Sequence, residues 1–425
     1  MTNSLNSLEQ IETVDASRTD ARVSVVIPTF NRAQYLAESI ESVLQQTLAP
    51  SQVIVINDGS TDNTRAVVAP FRGRVEYREV ENRGKATALN TVMPSVTGDY
   101  LWIMDDDDVA LPDALSRHVG LLESDSGLSW TYSSYIKSTS RPDDNRINPG
   151  TEMPLPEFAG DEFLIRLMEE CFLVHPTILV RTACYRTLGP FRADLIRSQD
   201  YEMALRLARN FRCARVSGPT IYRRYHPGAR GTAAASIDAR QVEAKWLEYM
   251  KPIFEGLRAE LPLTDYLPKS AATGSTGALD TRRAYLERMV IMGKKMLYGQ
   301  MLDDLKSAVE SSADGRPLSA PEREMLHRLA SYTSGDPLIA GPNLIARIRS
   351  VGGGATGLAI RVELARGLAW RAHTAWRAQE YREAARLTRV ALRLCGLRGI
   401  LPAISKQNAG VASSENSTSV ANDGR

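Results

Sequence analysis

GDYLWIMDDDDVALPDAL, residues 98–115, decides the fold. Tyr100 to Met104 form an apolar run of strand length, and the run stops abruptly at Asp105, Asp106, Asp107 and Asp108. Apolar residues on both alternating faces predict a strand covered from both sides, as in a parallel sheet. Pro112 then opens a helix, a favoured first-turn position. Two like charges ~4 Å apart repel by ~4 kcal/mol at an effective dielectric near 20, so four adjacent carboxylates at a strand end are costly. A divalent cation removes that cost. Aspartates at i and i+2 of an extended segment, such as Asp105 and Asp107, can act together on a metal, and hard oxygen ligands suit Mg²⁺ or Mn²⁺. The plainer alternative is a solvated acidic loop capping the next helix.

Working upstream, VSVVIP (residues 23–28) and VIVIN (53–57) are two more β-branched runs of strand length, and residues 75–80 are a weaker third. Asn31 is placed to cap the helix after the first run. That helix sets Leu36, Ile40, Val43 and Leu44 on one face. Ser60 or Thr61 is placed to cap the helix after the second. Residues 84–96 fit a further helix, and 129–135 a fifth strand. Strands alternating with helices predict a doubly wound, mostly parallel sheet. Such sheets bind ligands beyond the carboxyl ends of their strands. Thr29 and Asn31, Asp58, and the aspartate run all fall at such ends.

Downstream, residues 138–156 are rich in Pro, Asp, Asn and Ser and read as a flexible loop. Residues 157–235 mix helices and a strand, and 240–335 are almost wholly helical in pattern. Residues 345–400 hold eleven arginines against Glu363, Glu380 and Glu383. Within them AWRAQEYREAARLTRVAL (375–392) has the pattern of one helical-repeat unit, which cannot bury its own face alone. The expected division is a lead over 1–20, a nucleotide half over 21–135, an acceptor half over 136–235, a helical region over 236–402 and a disordered tail from 403.

The 425 residues suggest more than one domain. The apolar share of 43% can fill a sizeable core, and the net charge of +2 gives no global case for nucleic acid. Cys171, Cys184, Cys213 and Cys395 form no C-x-x-C pair, so a zinc ribbon is not expected and a reducing cytoplasm is. The polar lead lacks the features of a signal peptide, and no stretch approaches the ~20 apolar residues of a membrane span.

Four segments in order carry a resemblance: SVVIPTFNRAQYLAESIESVLQQT (24–47), VIVINDGSTDNT (53–64), ENRGKATALN (81–90) and residues 98–115. Together they resemble the family 2 glycosyltransferases, whose GT-A fold is a Rossmann-like, mixed, mostly parallel sheet. The likeness runs over roughly residues 22–235 and is strongest over 23–120. It implies a metal-dependent enzyme that transfers a sugar from a nucleotide-sugar donor, a UDP-sugar by family habit, with inversion. The loop after the first strand would then line the nucleotide pocket with Pro28, Thr29 and Asn31. Asp58 would accept a hydrogen bond from the base, Arg83 and Lys85 would lie near the nucleotide, and Asp106 would join them. The metal, Mn²⁺ or Mg²⁺, would be held by Asp105 and Asp107, with Asp107 the first choice, and His226 within reach. The helix-opening acidic pair of the family maps onto Ser198-Gln199-Asp200-Tyr201-Glu202. There Gln199 replaces the usual glutamate, Asp200 would be the catalytic base, and Glu202 is the fallback. In IYRRYHPGARG (221–231), Arg224 or Arg230 would steady phosphates. His175, in an apolar stretch, reads as structural.

Partners follow from the same resemblance: a nucleotide-sugar donor and a glycan, lipid-linked or protein acceptor. The arginine-rich helices suit either a bundle face, a homodimer contact or a peripheral contact with the inner face of a membrane. A non-catalytic nucleotide- or carbohydrate-binding scaffold, its helical region docking a partner, is the rival from another class. A nucleotidyltransferase would need a G-x-G-x-R loop where PTFNR stands (28–32).

Overall fold

The computed structural model describes residues 21–226, 242–269, 278–312, 316–333, 336–340 and 343–396. The expected lead over 1–20, the tail from 403, and Arg230 lie outside the described residues. Packing divides the chain into two compact units. One comprises the described residues of Met1–Phe158 and Glu170–Val242, the other those of Ala159–Glu169 and Glu243–Arg425.

The first unit is organised on a mixed sheet in the order β3-β2-β1-β4-β8-β6-β9-β5, with β7 beside β6. Its parallel half consists of β1 (Val23–Thr29), β2 (Gln52–Asp58), β3 (Glu76–Val80) and β4 (Tyr100–Ile103). All seven residues of β1 are buried, because β1 is flanked in register by β2 (Val25 opposite Val53) and β4 (Val25 opposite Trp102). Helix α1 (Ala33–Leu44) crosses from β1 to β2 and buries Leu36, Ile40 and Val43 in the core with Val25, Ile27, Val55 and Trp102. Each such side chain, fully buried, contributes roughly 1.5–3 kcal/mol. Because the four strands run parallel, Thr29, Asp58, Val80 and Ile103 leave the sheet at one edge.

The other half of the sheet is mixed. Strand β8 (Ile178–Arg181) lies antiparallel to β4, with Trp102 opposite Leu179. Strand β6 (Trp130–Ser140) pairs with β8 and, in parallel, with β9 (Cys213–Arg224), which also holds the short β5 (Val109–Ala110). This is the GT-A architecture the resemblance implies. The stretch 138–156 is not a loop: β6 runs on to Ser140 and returns as β7 (Ile147–Met153). All but Ile147 of β7 is exposed. An outer strand with no buried face has no apolar alternation, so its composition is that of a loop. Helices α2 (Thr64–Val68), α3 (Lys85–Val92), α4 (Ala114–Ser124), α6 (Thr182–Leu188) and α7 (Gln199–Asn210) complete this unit.

The second unit is helical. It contains α5 (Phe163–Glu169), α8 (Val242–Glu260), α9 (Ala278–Lys294), α10 (Tyr298–Glu310), α11 (Ala320–Ser331), α12 (Pro337–Ala340), α13 (Leu344–Val351), α14 (Gly354–Arg377) and α15 (Tyr381–Cys395). Its buried residues include Leu286, Val290, Leu305, Leu326, Leu329, Leu364 and Leu368. Ser319 and Glu322 form a reciprocal capping box at the start of α11. Among the described residues, no helix is long and apolar enough to cross a membrane.

Candidate active site at the strand ends

The loop after β1 is held by side chains. Asn31 has a left-handed backbone (φ 52°), which its short amide side chain tolerates. It does not cap α1: its Oδ1 accepts from Thr61 N at 2.8 Å, while its own N–H donates to Ser60 Oγ at 2.9 Å. The first amide of α1, Ala33 N, donates to Asp62 Oδ2 at 3.0 Å. Asp62 also takes Thr64 N at 3.1 Å, so neither Ser60 nor Thr61 caps the second helix. Local pattern located the cap by proximity. The fold supplies it from the neighbouring loop, and Pro28, Thr29 and Asn31 thereby share one wall with the end of β2.

Asp58 is buried at the end of β2 and accepts from Arg83 N at 3.0 Å and Gly84 N at 2.9 Å. Burial outweighs these two amides and raises its carboxyl above the ordinary range. Gly84, at φ 89°, is the turn that aims both amides at Asp58. The Arg83 guanidinium points elsewhere, pairing with Glu81 at 2.8 Å on the exposed surface. Lys85, at the start of α3, turns inward and pairs with Asp105. Burial opposes its charge, but Asp105, Asp200 and Asp106 outweigh that and raise its pKa.

The aspartate run follows β4 directly. One carboxylate oxygen from each of Asp105, Asp107 and Asp108 can be chosen so that all lie within 4.8 Å of one another. Asp107 Oδ2 lies 3.0 Å from Arg32 Nη1 and 2.9 Å from His226 Nε2, and Arg32 also touches His226. Asp108 is buried and accepts from Arg224 N at 2.8 Å. Asp106 receives the Phe30 amide at 3.4 Å. Its carboxyl is pushed up to about 7, by burial first and then by Asp107, with Arg32 and Thr29 opposing. Burial and the charges of Asp107 and Asp105 lift Asp108 well above its usual range. Clustered hard oxygens, with Asp108 held back from ionising by burial and its neighbours' charge, fit a divalent cation of the Mg²⁺ or Mn²⁺ kind.

Asp200 opens α7, after Ser198 in a left-handed conformation (φ 64°). Burial works against its charge, yet Lys85, then His175, and the Tyr201 amide at 2.8 Å hold its carboxyl below the ordinary range. Glu202 lies on α7 and pairs with Arg206 at 2.9 Å. His175 belongs with the charged cluster. The single 3-10 turn His175–Thr177 precedes β8, and Trp102 Nε1 of β4 donates to Pro176 O at 2.7 Å, which ties this turn to the strand that ends in the aspartates. Burial first, then Lys85, depress its imidazole to about 4, against Asp200 and Asp105. Among the described residues, neither ring nitrogen has a hydrogen-bond partner. The structural reading from its apolar context did not foresee these charges, because that context comes from sequence neighbours and the charges from residues remote in sequence.

Sequence reasoning missed Arg32, Asp108 and the role of Arg224. Arg224 is fully buried; it donates to Asp107 O at 2.7 Å and Asn145 O at 2.6 Å and pairs with Glu38 at 2.6 Å. It braces the acidic loop against α1 and lies over the Tyr35 ring at 4.7 Å. A signal existed for Arg32, a cation in the loop after the first strand. None existed for Asp108, since two-residue alternation cannot choose among four adjacent aspartates.

The model of the family described as glycosyl transferase family 2 matches residues 24–175. An uncharacterised glycosyltransferase of Rickettsia felis is 26% identical over 250 residues, covering 58% of this chain and 41% of that protein. Chondroitin synthase of Pasteurella multocida is 29% identical over 189 residues, covering 44% of this chain and 19% of the synthase. The chain thus spans about two fifths, or less, of these relatives. Among solved structures, S. aureus TarS 1-349 in complex with UDP-GlcNAc has a TM-score of 0.46 at 16% identity, covering 87% of this chain and 90% of that one.

Proposed function

We propose that this chain, whose residues 24–175 match the glycosyl transferase family 2 model, moves a sugar, with inversion, from a nucleotide-sugar donor to an acceptor hydroxyl in glycan, polysaccharide or glycolipid assembly. One observation carries the reading. Three carboxylates able to share a cation, two inward cations and a charged aspartate converge at the carboxyl edge of the parallel strands.

On this reading Asp105, Asp107 and Asp108 hold Mn²⁺ or Mg²⁺, with His226 beside Asp107. When bound, the metal neutralises negative charge on the donor diphosphate. Pro28, Thr29 and Asn31 line the nucleotide side. Asp58 fixes the turn before α3 and presents its remaining lone pairs to the base. Lys85 and Arg32, which pair with Asp105 and Asp107, are the cations that would face the donor phosphates. Preorganised charges of this kind usually accelerate a reaction more than any other single effect. Asp200 stays ionised at neutral pH because Lys85 faces it. It can therefore take the proton of an acceptor hydroxyl as that oxygen attacks the anomeric carbon. A cytoplasmic setting and a UDP donor accompany the proposal.

The test is nucleotide release from a panel of UDP-, GDP- and dTDP-sugars with Mn²⁺, with and without EDTA, for wild type and Asp107→Ala. Metal-dependent release from one donor, lost in the variant, is the expected result and names the donor. Silence across the panel, with no metal-dependent nucleotide binding by calorimetry, would leave the non-catalytic scaffold as the reading.

A further inference from the structure

The second unit bears a feature that the transferase reading does not use. Helix α15 is strongly two-sided. Ala384, Leu387, Ala391 and Leu394 are buried, at the i, i+3, i+7, i+10 spacing of one helix face. Arg382, Arg386, Arg389 and Arg393 follow the i, i+4, i+7, i+11 spacing on the opposite face, and all four are exposed. At 1.5 Å per residue the four span about 16 Å. No acidic residue lies within that stripe. Glu383, on its flank, reaches Arg386 at 3.6 Å with both side chains open to solvent, a pair that salt and water largely screen.

The N-terminal end of the stripe is flanked by exposed aromatic surface. Trp376, at the end of α14, and Tyr381, at the start of α15, are 61% and 54% exposed and meet edge to face at 4.9 Å. Trp370, six residues earlier on α14 and about a third of a turn round the helix from Trp376, is 54% exposed. Folding gains nothing from leaving large aromatic rings in water beside a row of cations. Tyrosine and tryptophan are amphipathic and favour the headgroup level of a bilayer, where arginine guanidinium groups can also pair with phosphate.

We propose that the α14–α15 edge is a docking surface for a membrane carrying anionic headgroups. The arginine stripe engages lipid phosphates while Trp376, Tyr381 and Trp370 seat at headgroup depth. Amphipathic rings beside the cations favour the headgroup level of a lipid surface over a polynucleotide. The inference is independent of the catalytic reading, since none of these residues belongs to the strand-end site.

Vesicle co-sedimentation of the full chain tests it, with phosphatidylcholine alone and with an equal mixture of phosphatidylcholine and phosphatidylglycerol. Binding is expected only to the anionic vesicles and should weaken as salt rises. Each basic residue near such a surface contributes about fivefold in partitioning, so Arg382→Gln, Arg386→Gln, Arg389→Gln and Arg393→Gln combined should lower it by several hundredfold. Trp376→Ala should lower anionic binding while leaving its salt dependence intact. All these positions are exposed, and an unchanged circular dichroism spectrum confirms folding. If the combined variant failed to fold, the pair Arg386→Gln with Arg389→Gln reads the same effect at a smaller scale. Equal partitioning onto both vesicle types, undiminished binding by the combined variant, or displacement from anionic vesicles by an equal mass of duplex DNA would each overturn the proposal.

Discussion

Arg32 follows the loop residues proposed to line the nucleotide side and reaches Asp107 at 3.0 Å, and its charge does two opposing things. It compensates Asp107 and holds down the elevated carboxyl of Asp106. It also competes with any cation for Asp107. Arg32→Ala should therefore tighten Mn²⁺ binding severalfold, because a competing cation is gone. It should weaken binding of a nucleoside diphosphate by tenfold or more, because a phosphate partner is lost; paired titrations of metal and UDP by calorimetry check both signs. His175 obeys another logic. A buried polar group without a partner costs roughly 1–3 kcal/mol, and His175 buries two such nitrogens beside Lys85 and Asp200. His175→Phe fills the same space without polar atoms. We expect unchanged or higher thermal stability with donor turnover at least tenfold lower. Lower stability with full turnover would instead make the histidine a packing residue.

Close approaches between elements make equally specific demands. Gly98 precedes β4, and a Cβ there would lie 2.4 Å from Ser24 N on β1. Gly98→Ala should cost about 1–3 kcal/mol by forcing β1 and β4 apart, read as a lower denaturant midpoint with unchanged slope. In the helical unit a Cβ on Gly367 of α14 would meet Ala330 Cβ of α11 at 2.5 Å, so Gly367→Val should destabilise that unit by a similar amount. These contacts mark the limit of legibility in sequence. Strands β1, β2 and β4 were readable because burial on both faces leaves near-continuous apolar runs, and the strand-end aspartates were readable by position. Strand β7 was not, since an exposed strand carries no pattern. The cap of α1 and the placing of His175 were not, since each depends on a residue remote in sequence. Among the aspartates, the run itself was evident, while the grouping of Asp108 with Asp105 and Asp107 needed the turn that returns Asp108 N to Asp105 O.

Over the whole chain the two units answer to different ions. In the helical unit, Glu169 of α5 and Glu287 of α9 face one another with Lys294 and Arg328 around them. Burial opposes charge on Glu169, but Lys294 and Arg328 hold it ionised, with its carboxyl at about 2. Burial and the charge of Glu169 push Glu287 the other way, to about 8, against Arg328. The folded unit therefore keeps the Glu287 proton that an unfolded chain releases near pH 4.5. A group with a raised folded pKa stabilises fully below its unfolded value, and that contribution fades as pH climbs through the folded one. Stability of the helical unit should fall between about pH 4.5 and 8, by at most about 1.4 kcal/mol per pH unit for the one proton. Below pH 4.5 the depressed Glu169 acts oppositely, and its contribution is lost as pH drops toward 2. Glu287→Gln keeps a donor for Glu169 without a proton to lose, so it should flatten the slope between about pH 5 and 8. Mn²⁺ should act on the other unit, since anything bound only by the folded state stabilises by mass action. Hydrogen exchange resolved by segment separates the two. Raising pH from about 5 to 8, once corrected for intrinsic exchange, should deprotect α9 and spare β1, and Mn²⁺ should protect β1 and β4 and spare α9. A pH response of α9 that persists in Glu287→Gln would mean that the carboxyl pair does not govern it.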